Sequence, residues 1–212
     1  MPIEETGALY AKLQAMCYGM SYAFFDSSLY NVNIIAFRSL PGEPNKFDDI
    51  LTLSYRRDKY NPVTEWYRCT TDPGLYYLNN PMLKAGTAVV APQQLRAGFK
   101  IGKHKGVYEC LVQSKPIKVY RDRNKDNIID LAPGTLVSTN SGIQIHRASR
   151  DFSVAYVNKY SAGCIVVQDP QDFESFMAVI GIAAERWGSS FTFTLIELPT
   201  SSLLSLLDID KL

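Results

Sequence analysis

The stretch "NVNIIAFRSLPGEPNKFDDILTLSY", residues 31–55, decides the fold class. Two apolar runs rich in β-branched and aromatic residues, 31–39 and 49–55, flank a segment of Pro, Gly and Asn, a pattern typical of two strands and a turn. The pattern returns in "TEWYRCTT" (64–71), "GTAVVAP" (86–92), "GVYECLVQ" (106–113) and "IKVYRD" (117–122). Many short strands without regular strand–helix alternation predict a mainly β domain, built as a β-sandwich or barrel.

Helical signals lie at the two ends of the chain. Apolar spacing over 6–25 predicts an N-terminal helix, and Asp169-Pro170 reads as an N-cap and first-turn proline of a helix that ends at Gly188. A strand, "SFTFTLIEL", and a leucine-rich tail follow. We expect the tail to form a short helix that docks on its own chain, with an oligomer contact as the alternative. The predicted division is an N-terminal helical extension (1–30), a β-rich domain (31–198) and a C-terminal tail (199–212).

Composition excludes several classes of partner. The 22 basic and 21 acidic residues leave a net charge of +1, which gives no electrostatic reason to expect nucleic acid. No apolar run approaches the roughly 20 residues that span a bilayer. The N-terminus lacks the basic-then-apolar order of a secretory signal, so we expect synthesis in a cytoplasm. Four cysteines without a C-x-x-C pair, and only two histidines, predict free thiols and no His/Cys metal cluster.

One histidine and one cysteine lie close together in the sequence. His146 stands in the alternating run "GIQIHRAS" (142–149), which predicts a strand, and Gly163 directly precedes Cys164 in "YSAGC" (160–164). A cysteine nucleophile needs a nearby base and N–H donors aimed at the developing oxyanion. The alternative is a structural cysteine beside a satisfied histidine, and spacing alone favours this alternative because free cysteine is usually a small buried apolar residue.

The motif resembles that of the L,D-transpeptidase (YkuD-type) catalytic domains, which are peptidoglycan-processing cysteine enzymes. Their pattern is a histidine, a spacer and Ser/Thr-His-Gly-Cys; here fourteen residues, 147–160, separate His146 from "SAGC". "TTDPGLYYL" (70–78) is similar to the family's TPxGxF segment. The resemblance covers roughly residues 30 to 198 and implies an L,D-transpeptidase-like β-rich fold, with one helix before it and one after the cysteine.

The resemblance also implies a mechanism. Cys164 would be the nucleophile and His146 its base, oriented by the main-chain carbonyl of Arg147. The N–H groups of Gly163 and Cys164 would stabilise the oxyanion of a thioacyl-forming reaction on stem peptides. Whether the enzyme is a carboxypeptidase, an endopeptidase or a transpeptidase stays open.

The chain departs from the family pattern at two positions. Ala162 replaces the histidine before the Gly-Cys pair, and Val166 replaces a common arginine. We expect Ser161 and Ala162 to border the substrate, with Arg150 or Arg147 supplying the carboxylate-binding cation. Both arginines could equally be solvated loop residues. The two departures support a rival hypothesis, in which the protein is a catalytically inactive virion structural or wall-binding protein that retains the fold.

More narrowly, the chain resembles proteins of phages that infect Bacteroidetes, and of those bacteria themselves. That resemblance implies that the protein acts at the cell wall during lysis. The partners it implies are peptidoglycan stem peptides and virion proteins. It favours hydrolysis, because a virus gains more from opening the wall than from crosslinking it.

Two further segments carry candidate polar residues. Oxygen-bearing side chains recur at Asp122, Asn124, Asp126 and Asp130, as in calcium loops, but Pro133 occupies the place of the bidentate glutamate. A polar hairpin turn is the favoured alternative, and calcium, if bound, would be structural; no other cofactor is required. His104, in the basic stretch "KIGKHKG", is predicted to lie in a solvated turn, with contact to an anionic stem peptide or glycan as the alternative.

Overall fold

A computed structural model describes residues 3–210. The helices are α1 Ile3–Gly19, α2 Leu75–Asn79, α3 Pro170–Trp187 and α4 Thr200–Leu207, with a short 3-10 helix at Pro133–Thr135. The strands are β1 Asn33–Leu40, β2 Asp49–Arg56, β3 Pro62–Thr70, β4 Thr87–Val90, β5 Gln93–His104, β6 Tyr108–Gln113, β7 Ile117–Asp122, β8 Val137–Thr139, β9 Gln144–Arg147, β10 Ile165–Val167 and β11 Phe191–Pro199.

Eight strands form a closed barrel in the order β1-β11-β5-β6-β9-β10-β3-β2. Most neighbours are antiparallel, but β1–β11 and β9–β10 pair in parallel. A separate three-stranded sheet has the order β4-β7-β8. The prediction of a mainly β protein is confirmed, and of the two architectures foreseen the barrel is the one observed. Closure pairs every barrel strand on both sides, so this sheet has no exposed edge.

The first two strands are buried on both faces. Ile34 and Leu51 belong to the barrel core, which also takes in residues of β4, β7 and α3. Ile35 and Ile50 point the other way, into a second apolar cluster with residues of α1 and α4. This two-sided burial explains why β1 is apolar at the successive positions 34–37, and why the polar residues Thr52 and Ser54 of β2 are buried as well.

The terminal segments pack on the barrel. The predicted helix over 6–25 ends earlier, at Gly19, and the chain continues irregularly to Phe24, whose ring makes an edge contact with Tyr10 at 5.0 Å. In the tail, Leu203 and Leu207 of α4 are buried in the same cluster as α1. The tail is therefore a docking helix within its own chain. Among residues 3–210, no helix is long and apolar enough to cross a membrane.

Helix α3 begins and ends where the sequence predicts. The side chain of Asp169 accepts hydrogen bonds from the main-chain N–H groups of Gln171 and Asp172, and Pro170 occupies the first turn. The helix ends at Gly188, which has a φ of +82°. The Asp169 side chain satisfies N–H groups that have no partner inside the helix, and the N–H of Gly188 donates to the carbonyl oxygen of Ala184. The helix thus follows directly after β10.

Strand β5 was not foreseen. Its sequence, "QQLRAGFKIGKH", is rich in polar and charged residues and contains two glycines, so it lacks the apolar alternation of a typical strand. It forms a hairpin with β6 that pairs Phe99 with Gln113 and His104 with Tyr108. The hairpin closes the barrel between β11 and β9, and it carries His104 to the end of the strand rather than into a solvated turn.

A buried ionic cluster joins the strands at one end of the barrel. Arg38 is 1% exposed and contacts Asp72 at 2.9 Å and Glu197 at 3.0 Å. Asp49 accepts hydrogen bonds from the main-chain N–H of Ser39 and from both the N–H and the hydroxyl of Thr71. The cluster ties β1, β2, β11 and the end of β3 together.

Candidate active site

Two parallel strands position the histidine and the cysteine. In the register of β9 and β10, Ile145 lies opposite Ile165 and His146 opposite Val166. Ile145 and Ile165 face the barrel core, so the alternate residues face outward. Cys164, directly before β10, therefore lies diagonally across from His146 on the same face, and diagonal neighbours in a sheet are about 7–8 Å apart.

Both side chains line one cavity of about 630 Å³. Its wall comes from the barrel on one side and from β4 and β7 on the other, with Met82, Leu83 and Val107 adding apolar surface. A cavity of this size suits a small peptide or ligand. Its basic lining residues are His104, Lys105, Arg121, His146, Arg147 and Lys159, and within the described residues the lining contains no carboxylate.

The turn before the cysteine is held by Ser161. Its hydroxyl donates to the carbonyl oxygen of Cys164 at 2.8 Å and accepts from the N–H of Gly163 at 3.1 Å. Gly163 has a φ of +114°, and a Cβ there would lie 2.3 Å from the carbonyl oxygen of Ala88. Only glycine fits this close approach to β4.

This hydrogen bonding changes two expected roles. Ser161 is 1% exposed and builds the turn, whereas it was expected to border the substrate. The N–H of Gly163 already donates to Ser161, so it does not stand free for an oxyanion. Within the part of the chain that the structure describes, neither the N–H of Cys164 nor that of Ala162 donates a hydrogen bond in this turn, so both are available as donors.

His146 is fixed in one tautomer. Its side chain is buried, and Nδ1 lies 2.8 Å from the carbonyl oxygen of Arg147. A carbonyl oxygen can only accept, so Nδ1 carries the proton and Nε2 keeps its lone pair. Burial, helped by the positive charges of His104 and Lys105, lowers the pKa of His146 to about 3 against the opposing effect of the bond to Arg147. The imidazole is therefore neutral at physiological pH.

Cys164 is the least buried of the four cysteines; Cys17, Cys69 and Cys110 are all buried. Burial of the thiol raises the pKa of Cys164 to about 11, although the main-chain N–H of Gln144 and the charge of Lys105 act in the opposite direction. The resting site thus holds a protonated thiol beside a neutral imidazole. Such a pair can react if the imidazole accepts the thiol proton as the sulfur attacks.

A second histidine lies against the first. The ring of His104 stacks on that of His146, with centroids 4.2 Å apart and planes 28° apart. Its Nδ1 lies 2.6 Å from Oε1 of Gln144. Sequence reasoning missed the contact between His104 and His146, because the two residues are far apart along the chain and His104 belongs to the unforeseen strand β5. No local pattern could have identified it.

The candidate cations occupy different surroundings. The Arg147 guanidinium borders the cavity and lies over the Tyr108 ring at 4.1 Å, with Glu174 3.9 Å away. The Arg150 side chain is 83% exposed, lies 3.7 Å from Asp151 and does not line the cavity. Arg147 is therefore the better placed of the two to meet a ligand.

Ala162 and Val166, the two residues that depart from the L,D-transpeptidase motif, have different surroundings. Ala162 lines the cavity beside Cys164. Val166 is completely buried and packs against Phe47 and Val157 in a small apolar cluster. Cys164 packs against the same cluster, and Val166 does not line the cavity, so Val166 contributes packing beneath the cysteine.

The segment with the candidate calcium ligands is a hydrogen-bonded loop. Asp122 accepts from the main-chain N–H of Asp130, and Asn124 donates to Asp126. Asp126 and Asp130 each accept from an N–H group two residues further on, as in turns. Across residues 3–210 the structure contains no group of three or more His, Cys, Asp or Glu side chains arranged to hold a metal ion. The geometry is that of the polar turn.

No family model, curated protein or solved structure matches the chain.

Proposed function

We propose that the protein is a cysteine-dependent acyl-transfer enzyme that acts on peptide bonds of peptidoglycan stems, with an L,D-transpeptidase-like barrel as its catalytic domain. The observation that carries this proposal is the placement of Cys164 and His146 on one face of two parallel strands, in one cavity, with Nδ1 of His146 held by the Arg147 carbonyl. A nucleophile, a base and a group that orients the base are the essential parts of such a site.

The residues perform the reaction as follows. Nε2 of His146 accepts the thiol proton while Sγ of Cys164 attacks the carbonyl carbon of the substrate. The N–H of Cys164 donates to the oxyanion that develops. When the intermediate collapses, the C–N bond breaks, and the imidazolium gives its proton to the departing amine. The thioacyl-enzyme is then released by water, or by an amine from a neighbouring stem.

The charge of the cavity supports an anionic substrate. Lys105, Arg121, Arg147 and Lys159 line it without a carboxylate among the described lining residues. Such a surface attracts ligands with free carboxylates and can bind them directly. Stem peptides carry several carboxylates close to their scissile bonds. The choice of peptidoglycan over other acidic peptides rests on the motif from His146 to Cys164.

We propose hydrolysis as the physiological outcome, in a phage-associated protein that acts at the cell wall during lysis or from the virion. This part of the proposal rests on the resemblance to proteins of Bacteroidetes phages. The geometry of the cavity serves hydrolysis and transpeptidation equally well, because both share the thioacyl intermediate.

The test is incubation with purified sacculi and with disaccharide-tetrapeptide fragments, followed by mass spectrometry. Cys164→Ala is the inactive variant, and Cys17→Ala, which removes a buried thiol from α1, is the matched control. Loss of a terminal residue, cleaved crosslinks or new dimers should appear with the wild type and Cys17→Ala and not with Cys164→Ala. If no Cys164-dependent product forms across several wall chemistries, the protein is instead a structural or wall-binding protein that retains the fold.

A further inference from the structure

The tip of the β5–β6 hairpin is inserted between the base and its neighbouring arginine. His104, the last residue of β5, stacks on His146 with centroids 4.2 Å apart. Tyr108, the first residue of β6, lies against His104 at 5.3 Å and under the Arg147 guanidinium at 4.1 Å. The four side chains form one column along the cavity wall.

Polar contacts fix the same column. Nδ1 of His104 lies 2.6 Å from Oε1 of Gln144, two residues before His146 on β9. The Tyr108 hydroxyl donates to the Arg147 carbonyl oxygen at 3.3 Å, which is also the acceptor for Nδ1 of His146 at 2.8 Å. Both the ring plane of His146 and the carbonyl that selects its tautomer are therefore held by the hairpin tip.

We propose that His104 is a positioning residue for His146: its stacked ring, anchored on Gln144, keeps the imidazole of the base in the orientation in which Nδ1 donates to Arg147 and Nε2 is free. This inference rests on the proposed function only in naming His146 as a base. The stacking and the tautomer can be measured in a protein with no turnover at all.

His104 also influences the charge of the base. The charged or titratable groups that face His146 are His104 and Lys105 from the β5–β6 hairpin, Cys164 from the turn before β10, and Arg147 in its own strand. A protonated His104 in contact with His146 disfavours a second positive charge there. Removing the His104 ring should therefore make His146 easier to protonate, since it removes a like charge and admits water.

Histidine-selective NMR provides the test, because the chain contains only two histidines. We compare the wild type with His104→Ala, with His104→Phe, which keeps a flat ring, and with Lys103→Ala, an exposed neighbour on β5. In His104→Ala, His146 should lose its single Nδ1–H tautomer, and its pKa should rise by at least about one unit. In His104→Phe the tautomer should be retained. An unchanged tautomer and pKa in His104→Ala would overturn the proposal.

Turnover on stem-peptide fragments gives a second readout. If the stacked ring positions His146, kcat should fall at least about tenfold in His104→Ala with little change in KM. His104→Phe should keep most of the wild-type kcat, because it keeps a flat ring. In the plot of kcat/KM against pH, the acidic limb should move to higher pH in both His104 variants, because His146 becomes easier to protonate. The limb should not move in Lys103→Ala. Equal loss in the Ala and Phe variants would refute positioning by the ring. If the wild type shows no turnover, the proposed function fails, while the NMR result still decides the role of His104.

Discussion

Replacing Gly163 by alanine should destabilise the protein through two separable effects. The φ of Gly163 is +114°, and an L-residue with left-handed backbone costs about 1–2 kcal/mol. The new Cβ would also lie 2.3 Å from the carbonyl oxygen of Ala88, whereas ordinary contacts begin at 3.4 Å. The turn and β4 must therefore separate by about 1 Å, and such overpacking typically costs about 1–3 kcal/mol. The expected sum is a loss of about 2–5 kcal/mol in the free energy of unfolding.

Gly142→Ala is the matched control for this prediction. Gly142 also has a positive φ, +74°, but a Cβ there would meet nothing within 4 Å. Equilibrium unfolding in urea should show that Gly163→Ala loses clearly more stability than Gly142→Ala, with unchanged slope m. If the two variants lose the same amount, the close approach of the Cys164 turn to β4 does not exist as described, and the argument that only glycine fits there is wrong.

The remaining predictions concern the thiol, the ionic cluster and α3. Alkylation of Cys164, followed by mass spectrometry, should keep accelerating with pH because its pKa is raised to about 11; a plateau below about pH 8 would contradict this. Arg38→Met should lower the free energy of unfolding in urea by about 3–5 kcal/mol, because Asp72 and Glu197 would lose their buried cation. A loss under about 1 kcal/mol would contradict this prediction. Gly181→Ala in α3 should stabilise the protein by about 1 kcal/mol and raise Tm, because alanine favours the helix more than glycine does and the new Cβ meets nothing within 4 Å. A lower Tm in this variant would contradict the prediction.

The parts of the fold that local patterns describe were predictable. β1 and β2 are apolar runs bounded by turn residues, and α3 has an N-cap and a terminal glycine in sequence. β5 was not predictable, because its stability comes from pairing with both β6 and β11 and its own side chains are polar. Closure of the barrel is likewise a long-range property, and no single segment encodes it.

The candidate site also combines features that the local sequence predicts with features that depend on long-range contacts. The motif from His146 to Cys164 is local, and the structure brings both residues to one cavity. The engagement of the Gly163 N–H by Ser161, and the stacking of His104 on His146, depend on side-chain orientation and on a hairpin that the motif does not include. Sequence spacing can therefore identify the proposed pair, whereas the groups that support this pair are found only from three-dimensional contacts.

The neutral resting pair has a consequence for the proposed reaction. Because the pKa of His146 is lowered to about 3 and that of Cys164 is raised to about 11, few thiolates exist before substrate binds, and the thiol is protected from incidental oxidation or alkylation. The proton must move to His146 as the C–S bond forms. The resulting imidazolium is a strong acid, so it protonates the leaving amine readily. The surroundings that slow formation of the thiolate thus favour protonation of the leaving amine in the second half of acylation.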